Sequence, residues 1–350
     1  MTFEVTFVGL YSDPALGQGM ARYCHSLFQA LKKYDLRMHN IYCDSSYTFP
    51  KKSGFDCFVT VPRNLILSPK TDTLYHLTAP QAGLSLPLFR KLRKNRIITT
   101  IYDLHPFLYS SHNTFFPLVW RALKSSAKNS DHLIAISSLA KDDLIEHFGI
   151  APEKITVTPL GVEPHFRPLP RTKQTFTVGY MGGFAKNKNT PLLIKAYSIF
   201  EKAHPKQSRF IVYGKGAQLE ECKLLAKKLG IQNIEFMGFA PEEKLVEIYN
   251  SFDVFVFPSF SEGFGLPILE AQRCMTPTIV LAGSHVPPEV TKFCPSGKDE
   301  QEIAEQIEKI FEKGFVFTPE HLEHLKQFTW QNCAQKTMEA YKKALEDKKS

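Results

Sequence analysis

The 350-residue chain lacks the features that would place it in several large classes. No uninterrupted apolar run approaches the roughly 20 residues that span a bilayer. The segment Thr2 to Val8 carries an acid inside a short strand-like run, so it does not read as a signal peptide. The seven cysteines are scattered, odd in number and without C-x-x-C spacing, which argues against a disulfide framework or a zinc site. A reducing, cytoplasmic setting is expected. No internal repeat or low-complexity tract is visible. The net charge of +8 comes without a zinc-finger, basic-zipper or RNA-recognition signature, so nucleic acid is not an expected partner.

What is present is ample apolar material, 43% of residues, enough for about two cored domains at this length. Apolar strand-like runs alternate with helical patterns throughout. Phe3–Gly9, Leu36–Cys43, Thr73–Leu77, Arg96–Tyr102 and Asp131–Ser137 read as strands of a first half, with helices at Gly19–Leu31 and Leu139–Phe148. A segment rich in proline and polar residues, Pro164–Lys173, reads as a linker. The second half runs Phe176–Met181, Pro191–Ala203, Phe210–Tyr213, Leu219–Leu229, Ile234–Met237, Pro241–Asn250 and Asp253–Phe257. Strict alternation predicts an α/β protein of two Rossmann-like parallel-sheet domains facing each other across a cleft. Their expected limits are 1–165 and 166–330, with the last helix, 331–345, a candidate to return to the first domain.

The most informative stretch follows the strand ending at Phe257. It reads Pro-Ser-Phe-Ser, then Glu262, Gly263, Phe264, Gly265, Leu266, Pro267, and reaches Glu270 eight residues after Glu262. Proline suits a helix start and the glycines allow a sharp turn, so strand, loop and helix follow in order. The amides of Gly263 to Leu266 then lie at a helix N-terminus, a seat for phosphate. A carboxylate on each side makes sense if one takes hydroxyls of a ribose and the other those of a sugar on the far phosphate. The plainer alternative is that Glu270 serves the helix dipole from the first turn and Glu262 is solvated.

Other candidates sit at strand ends. Gly17 and Gly19 open the first helix, but the loop before them is too long, and a third glycine is missing, for a dinucleotide fingerprint. Asp103 and His105 follow the strand ending at Tyr102, where doubly wound sheets bind ligands; a cap and a surface residue are the alternatives. Lys188, in a basic loop after the first strand of the second half, offers an ammonium to a diphosphate. Arg90, Lys91, Arg93, Lys94 and Arg96 put five cations within seven positions, beside Leu88, Phe89 and Leu92 at helical spacing. Such a helix can lie on anionic lipid or simply be solvated.

The chain resembles glycosyltransferase family 4, the retaining nucleotide-sugar enzymes with the GT-B fold. The likeness is carried by Glu262 and Glu270 as an E-x7-E motif. It extends to Gly17-Gln-Gly19, Tyr102-Asp103-Leu104, Ala135-Ile-Ser137, Pro159-Leu-Gly161-Val162, Lys188-Asn189, Tyr213-Gly214-Lys-Gly216, Val286–Val290 and Phe328-Thr-Trp330. The resemblance implies a hexosyltransferase that moves a mannose- or glucose-type sugar from a GDP- or UDP-sugar to a glycan or lipid-linked acceptor, with retention of anomeric configuration. Glu270 would hold the ribose and Glu262 the donor hexose, with Asp103 the second catalytic residue. Lys188 and the amides of Gly263, Phe264, Gly265 and Leu266 would take the diphosphate, with Gly17 and Gly19 closing from the first domain. Tyr102 and His105 are candidate sugar contacts. No cofactor is implied beyond the nucleotide sugar as co-substrate, and no D-x-D or divalent metal is required. The expected location is cytoplasmic, peripheral on the inner membrane face.

Three positions depart from the family pattern. Tyr102 stands where histidine is usual, Gly183 where arginine is frequent, and Met275 where glycine is expected. Tyr102 and Gly183 suggest a non-catalytic nucleotide-sugar-binding relative as the alternative. A phosphorylase lacks an identifiable pyridoxal-phosphate lysine, and the E-x7-E placement disfavours an epimerase.

Overall fold

The computed structural model describes residues 3–11, 19–44, 63, 74–92, 95–104, 116–170 and 175–346. The chain divides into two compact units, one of residues 1–161 with 329–350, the other of 162–328.

The first unit contains β1 (Phe3–Tyr11), α1 (Gly19–Leu31), β2 (Leu36–Asp44), β3 (Leu74–Leu77), α2 (Leu86–Leu92), β4 (Ile97–Ile101), α3 (Phe116–Asn129), β5 (His132–Ala135), α4 (Ser138–Phe148) and β6 (Ile155–Val157). Its parallel sheet runs in the order β2-β1-β3-β4-β5-β6. Strands β3, β4 and β5 are buried at every residue, as parallel strands covered on both faces must be; β4 is apolar or threonine throughout, while β3 and β5 each carry one buried histidine, His76 and His132. Ser137 caps α4 by accepting from the Ala140 amide, and Gly149 ends it in the left-handed region at φ 64.

The second unit contains β7 (Phe176–Met181), α5 (Thr190–Ala203), β8 (Ser208–Tyr213), α6 (Leu219–Leu229), β9 (Ile234–Gly238), α7 (Leu245–Ser251), β10 (Val254–Phe257), α8 (Leu266–Arg273), β11 (Thr278–Leu281), α9 (Pro288–Thr291), β12 (Ser296–Gly297), α10 (Glu300–Lys313) and α11 (Pro319–Leu325). Its parallel sheet has the order β12-β11-β10-β7-β8-β9. This is the doubly wound pattern in which the strand sequence reverses between the first and fourth strands, here β7 and β10. The core packs β7, β8 and β10 against α5, α6 and α10 through Tyr180, Leu193, Tyr197, Phe200, Phe210 and Ile307. A Cβ on Gly179 in β7 would fall 2.2 Å from the Phe252 ring, so only glycine fits that crossing.

The last helix, α12 (Trp330–Glu346), belongs to the first unit. Its buried residues Trp330, Cys333, Ala334, Thr337, Ala340, Tyr341 and Ala344 recur at three- and four-residue steps and form one apolar face. That face carries a polar anchor. Tyr341 Oη meets His76 Nδ1 at 2.8 Å, His76 Nε2 meets Thr100 Oγ1 at 2.7 Å, and Tyr23 Oη meets the same Thr100 hydroxyl at 3.0 Å. All four residues are buried. Such a network is favourable inside a protein only when its members are satisfied together.

Candidate functional site

The strand reversal of the second unit leaves a crevice position at the carboxyl ends of β7 and β10, and the chemistry-bearing loops follow these two strands. After β7, residues Lys186–Lys188 form one 3₁₀ turn, and Asn189 leads into α5 at φ 50. After β10, the chain bends at Phe260, and Ser261 forms an isolated parallel bridge with His285. The Phe260 amide donates to Asn187 O at 2.8 Å, the His285 amide to Phe260 O at 2.7 Å and the Glu262 amide to His285 O at 3.0 Å. The Glu262 loop is thus held between the loop after β7 and the loop after β11.

Two of the expected site residues come into direct contact. Lys188 Nζ donates to both carboxylate oxygens of Glu262, at 2.6 and 2.9 Å. Their side chains are only 23% and 14% exposed, so the pair is shielded from water more than an ordinary surface bridge. The ammonium also lies 5.8 Å from the centroid of the Phe257 ring. Tyr180 stands beside them, its hydroxyl donating to Gly183 O at 2.8 Å. Burial, with a further push from the Glu262 charge, raises its phenol above the ordinary range. Asn189 Nδ2 and Ser259 Oγ are buried here without a hydrogen-bond partner among the described residues. Buried donors left unmatched in this way call for an explanation, and a polar ligand supplies one.

Gly265 caps α8 at φ 99, ψ 41, a left-handed conformation that strains any residue with a Cβ. Pro267 is the second helical residue, and Phe264 is buried against Phe328, which anchors the turn from below. The amides at the start of α8 have no intrahelical acceptors, as at any helix N-terminus. Glu270 lies one residue beyond the first turn, which corrects the expected position and removes the simple helix-dipole reading. It is buried, 4% exposed, and accepts from Tyr249 Oη at 2.9 Å. A desolvated carboxylate with a phenol partner is costly to keep unless it serves a purpose. Tyr249, in α7, is the residue that the sequence analysis did not single out. Twenty-one positions separate it from Glu270, and no local pattern marks it.

In the first unit, Asp103 follows β4 at its carboxyl end and is half-buried. Tyr102 turns its hydroxyl inward, donating to Thr78 O at 2.9 Å, and its ring packs edge-on against Tyr23. Burial holds the Tyr102 phenol well above its ordinary range, so it stays protonated. Gly19 is the first residue of α1. Gly17 and His105 lie outside the described residues. A Cβ on Gly183 would meet only Lys215 O, at 3.6 Å, an ordinary contact. Space therefore does not explain why arginine is missing there. Met275 adopts φ 58, the left-handed conformation that makes glycine the comfortable residue at that position.

The basic segment needs correction. Arg96 is not a solvated cation: its guanidinium binds Asp131 at 2.8 Å, with side-chain exposures of 18% and 9%. The other Asp131 oxygen accepts from the Ile97 amide, so this pair fixes the start of β4. Nor do Leu88 and Phe89 form one lipid-facing edge, since Phe89 is fully buried while Leu88 is 51% exposed. Arg90 and Lys91 lie in α2, and their side chains, with Arg93 and Lys94, fall outside the described residues. Among the described residues no helix is long and apolar enough to cross a membrane, and no group of three or more His, Cys, Asp or Glu could hold a metal ion.

Comparison with known proteins accords with this geometry. Residues 161–329 match the family model described as glycosyl transferases group 1, and residues 17–166 the model described as glycosyltransferase family 4. The O-antigen chain mannosyltransferase B of Escherichia coli is 25% identical over 271 residues, covering 71% of each chain. A D-inositol 3-phosphate glycosyltransferase of Corynebacterium jeikeium is 28% identical over 240 residues, 61% of this chain and 57% of that one. The chain thus spans little more than half the length of this second relative. Among solved structures, Anabaena HepE in complex with UDP and glucose superposes with a TM-score of 0.72 at 15% identity, over 97% of this chain and 99% of that one. This likeness shows the fold, the GT-B pairing of two Rossmann-like units. With the E-x7-E loop at the strand reversal and the two family models together spanning residues 17–329, the chain belongs to glycosyltransferase family 4.

Proposed function

We propose that the protein is a retaining hexosyltransferase that moves a mannose- or glucose-type sugar from a UDP- or GDP-sugar to a glycan or lipid-linked acceptor. The observation that carries this reading is the convergence of Lys188, Glu262 and the α8 N-terminus on the β7/β10 strand reversal. The diphosphate is assigned to Lys188 and the amides of Gly263, Phe264, Gly265 and Leu266, where charge developing on the leaving group is stabilised electrostatically. Glu270 is assigned to the ribose hydroxyls and Glu262 to the donor hexose. Asp103 is assigned a catalytic role, Tyr102 and His105 to the sugar, and Gly17 and Gly19 to donor binding. Two supports come from relatives: the E. coli protein is a mannosyltransferase, and the HepE structure holds UDP and glucose. With lysine and amides meeting the diphosphate, the transfer needs no divalent metal.

The test has two stages. A thermal-shift panel of UDP-, GDP- and ADP-sugars should show one donor class raising the melting temperature, since a ligand bound only by the folded state stabilises it. Transfer from that donor to a glycan acceptor should then give a product with the donor's anomeric configuration. Inverted product, or no shift with any donor, rejects the proposal. Binding without turnover favours the non-catalytic reading, to which the inward-turned Tyr102 hydroxyl lends weight. We further place the protein at an anionic membrane face through Arg90, Lys91, Arg93 and Lys94, with Leu84 and Leu88 exposed nearby. Replacing these four cations by glutamine should reduce binding to vesicles containing phosphatidylserine, and Arg96→Gln should not. Equal binding by wild type and the fourfold variant rejects this placement.

A further inference from the structure

We infer that the Lys188–Glu262 pair discriminates the intact sugar donor from its nucleoside-diphosphate product, with Glu262 recapturing Lys188 as the product leaves. The inference rests on the assignment of this site to the donor. Two groups assigned to different parts of one ligand are each other's partner in this structure: Lys188 gives two of its N–H donors to the Glu262 carboxylate, at 2.6 and 2.9 Å. Neither group is loosely held. The Lys188 amide donates to Ala185 O at 2.9 Å and the Glu262 amide to His285 O at 3.0 Å, so both side chains start from fixed backbone.

Lys188 has one further N–H donor, so a diphosphate that takes more than one must draw the ammonium away from this carboxylate. Glu262 is then left part-buried, without its cation and beside a new anion. A sugar on the terminal phosphate relieves that state, because its hydroxyls donate to the carboxylate and replace the N–H bonds that were lost. A bare nucleoside diphosphate has no such hydroxyl in reach and brings one more negative charge on its terminal phosphate. The exchange is therefore balanced for the donor and unbalanced for the product. Once the hexose has been transferred, the pair re-forms at the expense of the bound diphosphate, which favours release. A lysine with no acid beside it would hold the more highly charged product at least as tightly as the donor.

The experiment is titration calorimetry of UDP, GDP, UDP-glucose and GDP-mannose against wild type, Glu262→Gln and Lys188→Met, with melting temperatures confirming that each variant folds. Glu262→Gln is expected to bind the bare diphosphate about tenfold tighter, the scale of one charge-assisted hydrogen bond, while its affinity for the sugar nucleotide changes little or falls. The preference for donor over product therefore shrinks. If Lys188→Met weakens nucleotide binding and Glu262→Gln binds the diphosphate no tighter than wild type, the discrimination is overturned and the donor site stands. If Lys188→Met binds the diphosphate as well as wild type, or no protein binds any of the four ligands, the donor assignment itself fails and the inference with it.

Discussion

Replacing Glu270 by glutamine separates the ribose role of this buried carboxylate from its structural role. The side chain is 4% exposed and accepts from Tyr249 Oη at 2.9 Å, and a glutamine carbonyl can accept the same bond. That bond weakens by the difference between a charged and a neutral acceptor, so fold stability should change by no more than about 1.5 kcal/mol. Donor binding should change more. A hydroxyl on a carboxylate is worth about 1.5–3 kcal/mol and on a neutral acceptor about 0.5–1.5, so two ribose hydroxyls lose about 2–3 kcal/mol together. That corresponds to a dissociation constant about 30- to 150-fold larger. The control is a 2′,3′-dideoxynucleoside diphosphate, which wild type and variant should bind alike because the hydroxyls are gone. Calorimetry with both ligands reads the difference directly. An equal loss for the ribo and dideoxy ligands would show that the substitution acts through the fold, and no loss for the ribo ligand would place the ribose elsewhere.

Two further predictions concern stability. Burial pushes His76 down to about 3, and His321, buried between Phe293 and Phe317, down to about 4. Both stay neutral in the folded chain while the unfolded chain takes up protons below about pH 6.5. Stability is thus fully present above that pH and is lost as pH falls towards the folded values, by up to about 1.4 kcal/mol per pH unit for each group. Urea unfolding at stepped pH should show a shallower acid slope for His76→Gln, and identical slopes would refute the assignment. Met275→Gly should raise the melting temperature modestly. Relief of the left-handed backbone at φ 58 is worth about 1–2 kcal/mol, against about 0.5–1 lost to the freer unfolded glycine. A lowered melting temperature would mean that the methionine side chain contributes packing of its own.

Local signals made much of the fold legible. The helices Gly19–Leu31 and Leu219–Leu229 and the strand Phe176–Met181 end where their periodicity ends, α6 with a left-handed Gly230 behind it. The expected helix Pro241–Asn250 instead divides into a 3₁₀ turn, Glu242–Lys244, and α7: Pro241 is extended, and Lys244, at φ −100 and ψ −5, sits at the loose edge of the right-handed helical region. The individual site residues were visible as types at strand ends. Their relations were not. Lys188 and Glu262 are 74 positions apart, and only the β7/β10 adjacency joins them. Arg96 looked like one more cation in a run until Asp131, across β4 and β5, claimed it. Periodicity reports which face is buried, and carries no information about which distant partner waits there.

The return of α12 to the first unit has a consequence for the order in which the protein can be born. The second unit is one uninterrupted stretch, 162–328, and is complete once that stretch has been synthesised. The first unit is interrupted: its residues 1–161 precede the second, and its helix α12 is translated only after the second. Until then His76 has no Tyr341 hydroxyl, and the surface that receives Trp330 and Ala334 is uncovered. The usual vectorial order, with the earlier domain finishing first, is reversed here. A ribosome stalled near residue 329 would carry a finished second unit and an unfinished first one. Removing α12 would therefore injure the domain that was begun first.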